Sequence, residues 1–299
     1  LIIKVLVSAK RTAGGIKKDI GLKAKDIIDF LEGSFGAFLQ KKVSENWNWD
    51  TTQLIDALNN LESHGLVKRQ EDDTYHLTEL GWIGGHGGIE VESITRLVEI
   101  LRPIDKDQIT DTALIAATQM TLEIEDTLFP VSGNGTKELA TWSEQLNEQN
   151  IPDYILSRLQ TGETYDAASR FKKTAACLLW ITEMPLSEME SILTKHGGSW
   201  DGVAGPIRRI TERVHDVLHV TAAVAEQLHP GLELSERVSK LLVRLEIGMS
   251  SAIIEIGKVC GTKIARGMYQ ALIKSGVNTF DKISKMSDKD LLKIIEKKS

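Results

Sequence analysis

A mostly α-helical structure is what this sequence predicts, on three observations. From Glu92 onward nearly every segment repeats its apolar residues at three- and four-residue spacing, the period of an amphipathic helix. The linkers between these segments are short, as in a helical bundle. Strand signals are confined to the first 78 residues.

Taken in order, LIIKVLV at the start is a short β-branched run that predicts one strand. AKDIIDFLEGSFGAFL predicts a helix interrupted near Gly33. TTQLIDALNNLESHG places Leu54, Ile55, Leu58 and Leu61 on one helical face, with Thr51 or Thr52 as N-cap and Gly65 as the stop. LVKRQ and TYHLT then predict two strands around the polar turn at Glu71–Asp73. A helix stopped by glycine and followed by a hairpin is the winged-helix pattern. One reading lays that helix in a DNA groove. The preferred one makes it a packing module, since it carries Asp56 and Glu62 and no base before Lys68. GWIGGHGGIE predicts a flexible bend, and VSGNGTKE a glycine-bearing turn.

The helical stretches that follow are SITRLVEILRPI, DTALIAATQMTLEIEDTLF, ATWSEQLNEQN, AASRFKKTAACLLWITEM, SEMESILTKHG, GPIRRITERVHDVLHVTAAVAEQL and LSERVSKLLVRLEIG. Ser187 with Glu190 predicts a capping box, closed at the far end by Gly197-Gly198. On PIRRITERVHDVLHV, Ile207, Ile210, Val214, Val217 and Leu218 form the apolar stripe, while Arg209, Arg213 and Asp216 share another face. That second face is either a nucleic-acid contact or an intrahelical ion pair on a solvated surface.

The 299 residues, 41% of them hydrophobic, suffice for two or three domains. Net charge is −6, unevenly spread. Twelve acids face three bases between Asp105 and Asp166, whereas ten bases face five acids from Ser251 onward, which points a polyanion at the C-terminal part. Cys177 and Cys260 lie in helical patterns, so a disulfide scaffold is not expected. No apolar run approaches the roughly 18 residues of a membrane span and no signal peptide is visible, so a cytoplasmic chain with no membrane partner is expected. The chain starts on Leu1 rather than Met and reads as part of something longer.

No catalytic residues and no metal ligands are assigned. There is no GxxxxGK[ST] loop for a triphosphate. His215 and His219 sit one helical turn apart, but no cysteine or carboxylate cluster completes a ligand set in sequence. The chain alone is expected to be inactive as an enzyme and to hold no cofactor.

The clearest binding signal is GKVCGTKIARGMYQALIKSG, in which two apolar helices meet at Gly261, Thr262 and Lys263. With Ala265, Tyr269 and Gly276-Val277 it resembles a helix-hairpin-helix module, although Val259 stands where the usual pattern has its first glycine. Such a turn offers backbone N–H groups at a helix start, where the dipole favours an anion. Lys258, Lys263 and Arg266 add charge there.

The order of parts, densest in YDAASRFKKTAACLLWI, GPIRRI, ERVSKLLVRLEIGM and KIARGMYQALIKSGV, resembles the C-terminal half of the Ski-two-like superfamily-two helicases. The likeness is greatest to the archaeal DNA helicases that act at stalled forks. The resemblance implies four regions: 1–35 as the end of a motor domain and linker, 36–92 as a winged helix, 93–250 as a ratchet bundle, and 251–299 as a helix-hairpin-helix. It implies single-stranded or forked DNA and RecA-like motor domains as partners, in DNA repair or recombination, with ATP and Mg2+ held by motor domains missing from these residues. It also implies a DNA-touching ratchet helix at Pro206–Gln227, with Arg208 and Arg209 at its N-terminal end; Arg213, on the face of Arg209 by spacing, joins them as a candidate contact. Where that family has a base-stacking aromatic, this chain has Asp216. The same bundle occurs in RNA helicases, and related bundles serve as protein-interaction scaffolds.

Overall fold

The computed structural model describes residues 1–12, 21–194 and 202–296, and the chain divides into two units, Leu1–Thr95 and Arg96–Ser299. Among the described residues there are eighteen α-helices and one three-stranded sheet.

The first unit runs α1 (Ile2–Thr12), β1 (Leu22–Lys23), α2 (Ala24–Glu32), α3 (Phe35–Val43), α4 (Thr51–Ser63), β2 (Val67–Arg69), β3 (Thr74–Leu77) and α5 (Glu79–Gly87). The sheet is antiparallel in the order β1-β3-β2, with Leu22 opposite Tyr75 and Val67 opposite Leu77. Helix α4 begins on Asp50, not on a threonine: its carboxylate accepts from the N–H groups of Thr52 and Gln53 and serves as the cap. The helix ends as expected, with Gly65 at φ 72° and the N–H of Leu66 returning to the carbonyl of Leu61.

Two expectations fail here, and they fail together. LIIKVLV is helix α1, not a strand, and GWIGGHGG is helix α5, not a bend. A Cβ on Gly85 would lie 2.4 Å from Cγ2 of Val7 and 2.9 Å from Cγ2 of Ile3. The glycine face of α5 thus lets the β-branched side chains of α1 press against its backbone. That burial outweighs the strand preference of valine and isoleucine. Gly81 is equally confined, since a Cβ there would strike the carbonyl oxygen of Leu66 at 1.9 Å.

The division between the units falls within α6 (Val91–Leu101). Beyond it come α7 (Asp111–Thr118), α8 (Leu122–Glu125), α9 (Gly135–Asn147), α10 (Asp153–Leu159), α11 (Thr164–Trp180), α12 (Leu186–Thr194), α13 (Ala204–Leu228), α14 (Ser235–Ile247), α15 (Ile254–Cys260), α16 (Arg266–Lys274), α17 (Phe280–Ser284) and α18 (Asp288–Glu296). The run from Asp111 to Phe129, expected as one helix, breaks into α7 and α8 at a turn over 119–121.

Helix α11 is the axis of this unit, packed by α7, α9 and α13. Its middle is unusually polar for a core: Arg170, Lys172 and Lys173 are all buried. Lys172 lies 2.8 Å from Glu138 of α9, and Arg170 donates to the carbonyls of Leu159 and Thr161. Lys173 donates to the carbonyl of Ile124, and burial brings its pKa down to about 8. Between α7 and α13 the hydroxyls of Thr118 and Thr221 meet at 2.9 Å, a buried polar contact that satisfies both.

Ser187 lies inside α12 and forms no capping box with Glu190. The Glu190 carboxylate instead accepts the N–H groups of Val203 and Ala204 at 3.0 and 2.9 Å, so it caps the start of α13 from a neighbouring helix. Gly197-Gly198 lies outside the described residues, as do Lys297 and Lys298 of the basic tail. Among the described residues no helix is long and apolar enough to cross a membrane.

Candidate functional site

Two elements of the second unit carry the residues singled out for nucleic acid. The first is α13, 25 residues long. Pro206 stands in its first turn, where a missing N–H costs nothing. Ile207, Ile210, Val214, Val217 and Leu218 are all buried, as their spacing predicts. That stripe leaves Arg208, Arg209 and Arg213 on the outside. Among the described residues neither the Arg208 nor the Arg209 guanidinium has an ion pair or hydrogen bond; the Arg208 carbonyl accepts from the Thr211 hydroxyl at 2.9 Å. Arg213 is engaged: its Nε donates to the carbonyl of Glu123 at 3.3 Å, and its guanidinium lies 3.9 Å from Asp216. Asp216 also faces Nδ1 of His215 at 3.5 Å. This cluster is exposed, and such pairs contribute only a few tenths of a kcal/mol.

The second element is the hairpin of α15 and α16. Ile253, Ile256, Tyr269, Leu272 and Val277 close it around a small core with Ile247 and Met249. Gly261 takes φ 49° and ψ −135°, a conformation that side chains resist. The Tyr269 hydroxyl donates to its carbonyl at 2.7 Å, and burial pushes that phenol up to about 12. Helix α16 has Ala265 as its N-cap residue and no capping side chain. Thr262, Lys263 and Lys258 are exposed around the turn.

Arg266 differs from its basic neighbours. Its Nε donates to the carbonyl of Gly248 at 2.6 Å, and a second nitrogen to that of Thr182 at 3.0 Å. Its guanidinium lies over the Trp180 ring, 5.1 Å from the centroid. Burial lowers its pKa to about 10, so it stays protonated at neutral pH. Gly248 is left-handed at φ 66°, and a Cβ there would lie 2.5 Å from Trp180. Arg266 therefore pins the hairpin to the bundle, with two of its donors already engaged there. The Gln270 amide adds bonds to the carbonyls of Glu183 and Met184.

The two elements meet. A cleft of about 270 Å³ is lined by Arg208, Thr211 and Glu212 of α13, Leu245, Glu246 and Ile247 of α14, Trp180, and Thr262, Ile264, Ala265 and Arg266 of the hairpin. The structure thus brings Arg208, Thr262 and Arg266 to one place, while Arg209, Arg213, Lys258, Gly261 and Lys263 do not line the cleft. A second groove of about 450 Å³ lies between α13 and α14, with His215 and His219 on one wall and Ser239 and Val243 on the other. Glu246 lines both.

Glu246 and Glu212 were not singled out from sequence. Glu246 Oε1 lies 2.8 Å from where a Cβ on Gly261 would be, which puts a carboxylate beside the turn expected to receive an anion. A signal existed: Glu246 stands in the last turn of α14, where the helix dipole disfavours an acid. Among the described residues no group of three or more histidines, cysteines or acids is placed to hold a metal ion. Comparison of the chain with protein-family models and with characterised proteins finds no match.

Proposed function

We propose that this chain is the strand-gripping accessory region of an ATP-dependent superfamily-two DNA helicase, with a winged helix in the first unit and a ratchet helix and helix-hairpin-helix in the second. The observation that carries the reading is the cleft in which the start of long α13, buried along one stripe, meets the hairpin turn. Arg208 lines it and Arg209 stands next along the helix outside it, both with their guanidinium groups unspent. A guanidinium fork suits phosphate oxygens, and its plane suits a base face. An uncapped helix start and Lys258 and Lys263 lie alongside, so a single strand crossing the cleft would meet donors from both elements. The order β1, α2, α3, α4, β2, β3 supports the winged-helix assignment. ATP and Mg2+ would be held by RecA-like motor domains outside these residues, and the strand passes between them and this region.

Glu212 and Glu246 favour a second reading, a protein-interaction scaffold, because carboxylates at the cleft repel phosphate. Binding of a fluorescent oligothymidylate to the purified chain separates the two. The helicase reading expects dissociation constants of about micromolar order at low salt, rising with salt by a log–log slope of about 0.7 per phosphate neutralised. No binding at low salt, or tight binding that salt does not weaken, contradicts it. An RNA strand bound more tightly than DNA moves the assignment to an RNA-remodelling relative.

A further inference from the structure

The first unit presents an exposed apolar surface on α3. On α3, Phe35, Leu39 and Val43 recur every four residues with Phe38 beside them, and they are 72%, 46%, 87% and 52% exposed respectively. Ala37, on the opposite side, is the one buried residue of this helix. Phe35 and Phe38 stack on each other at 6.1 Å, and the Lys42 ammonium lies 4.7 Å from the Phe38 ring centre. A helix anchored by one alanine, with two phenylalanines facing outward, is a contact surface without its contact.

The same unit holds an apolar groove of about 520 Å³, whose lining includes Ile2, Leu31, Trp49, Leu54, Ala57 and Leu61. The chain passes from Leu31 on the groove to Phe35 on the exposed helix, and returns to the groove at Trp49. Helix α3 packs on α2, which supplies Leu31 to the groove, so one unit carries both a face and a groove, as the self-complementary surface of a two-fold dimer requires.

We propose that this chain pairs with a second copy of itself, the α3 face of each seated in the groove of the other. Area supports the choice. A phenylalanine carries roughly 200 Å², so Phe35 and Phe38 at these exposures present about 250 Å². In a two-fold pair that area is covered four times, on two helices and two grooves, giving about 1,000 Å², and Leu39 and Val43 add to it. That reaches the size of a specific interface. Charge supports it too. Helix α3 carries Lys41 and Lys42 and no acid, and Lys42 stands in the middle of the apolar face. Asp50, whose carboxylate caps α4, also lines the groove and is the acid there for that ammonium to meet.

Light scattering on the full chain after gel filtration tests this, over a wide range of loading concentrations. The parent is expected to approach twice its chain mass of 33.1 kDa as concentration rises. Phe35→Asp on the helix and Ala57→Arg in the groove should each return the mass to that of one chain, with the circular dichroism spectrum unchanged. A parent that stays at the single-chain mass at every concentration overturns the pair. So does a dimer that survives both substitutions. A monomeric parent whose Phe35→Asp variant loses oligothymidylate affinity also overturns it, and assigns the face to nucleic acid.

Discussion

Lys172→Ala is expected to destabilise the second unit by about 3–5 kcal/mol. The reason is the partner it leaves behind. Lys172 and Glu138 lie 2.8 Å apart with side chains 4% and 2% exposed, at the contact of α9 and α11 beside the fully buried Trp142. Removing the ammonium strands a carboxylate where water cannot reach, and opens a cavity on the axis helix. Urea unfolding followed by circular dichroism gives the number. Lys172→Met combined with Glu138→Leu should recover most of the loss, because a matched apolar pair of similar volume serves about as well as a buried ion pair. A loss below about 1 kcal/mol from Lys172→Ala would show that Glu138 reaches solvent in the native state.

Gly261→Val is expected to be the most damaging change in the hairpin. At φ 49° and ψ −135° a β-branched residue is strained by about 1–3 kcal/mol. Its Cβ also meets Glu246 Oε1 at 2.8 Å. The carboxylate can swing aside, but the backbone has no such freedom. Amide exchange over residues 254–277 should accelerate, because the Tyr269 bond to the Gly261 carbonyl holds that turn closed. Oligothymidylate affinity should fall further than with Lys289→Ala, an exposed base of α18. Adding Glu246→Ala should leave most of the loss in place. Unchanged exchange in Gly261→Val would mean the turn tolerates a side chain, and that its glycine carries no conformational requirement.

Much of this structure was legible because long helices bury one stripe, and a stripe repeats in sequence. The five buried positions of α13 could be read from their spacing alone, as could the Gly65 stop and the hairpin that follows it. What stayed hidden depends on pairing between distant segments. LIIKVLV looks like a strand until the glycine face of α5 is known to receive it, and that glycine run looks like a bend until something packs into it. Asp50, not a threonine, caps α4, since several polar residues in a row offer themselves and geometry selects one. In the candidate site, the stripe shows which arginines of α13 point outward. It does not show that Arg266, a base in the expected place, turns inward to two carbonyls and a tryptophan. Nor does it show that a glutamate from α14 stands over the turn.

If the start of α13 grips the phosphates of a single strand, as we propose, its two outward arginines set the salt dependence of binding. Salt titration of oligothymidylate binding by the Arg208→Ala/Arg209→Ala variant measures this, with Lys289→Ala as the control. Both arginines are exposed and unpaired among the described residues, so the melting temperature should stay at the parent's value. Weaker binding is expected, with a log–log salt slope smaller by about 1.4, two contacts at about 0.7 each, and the control close to the parent. A double variant that matches the parent in both affinity and slope contradicts it.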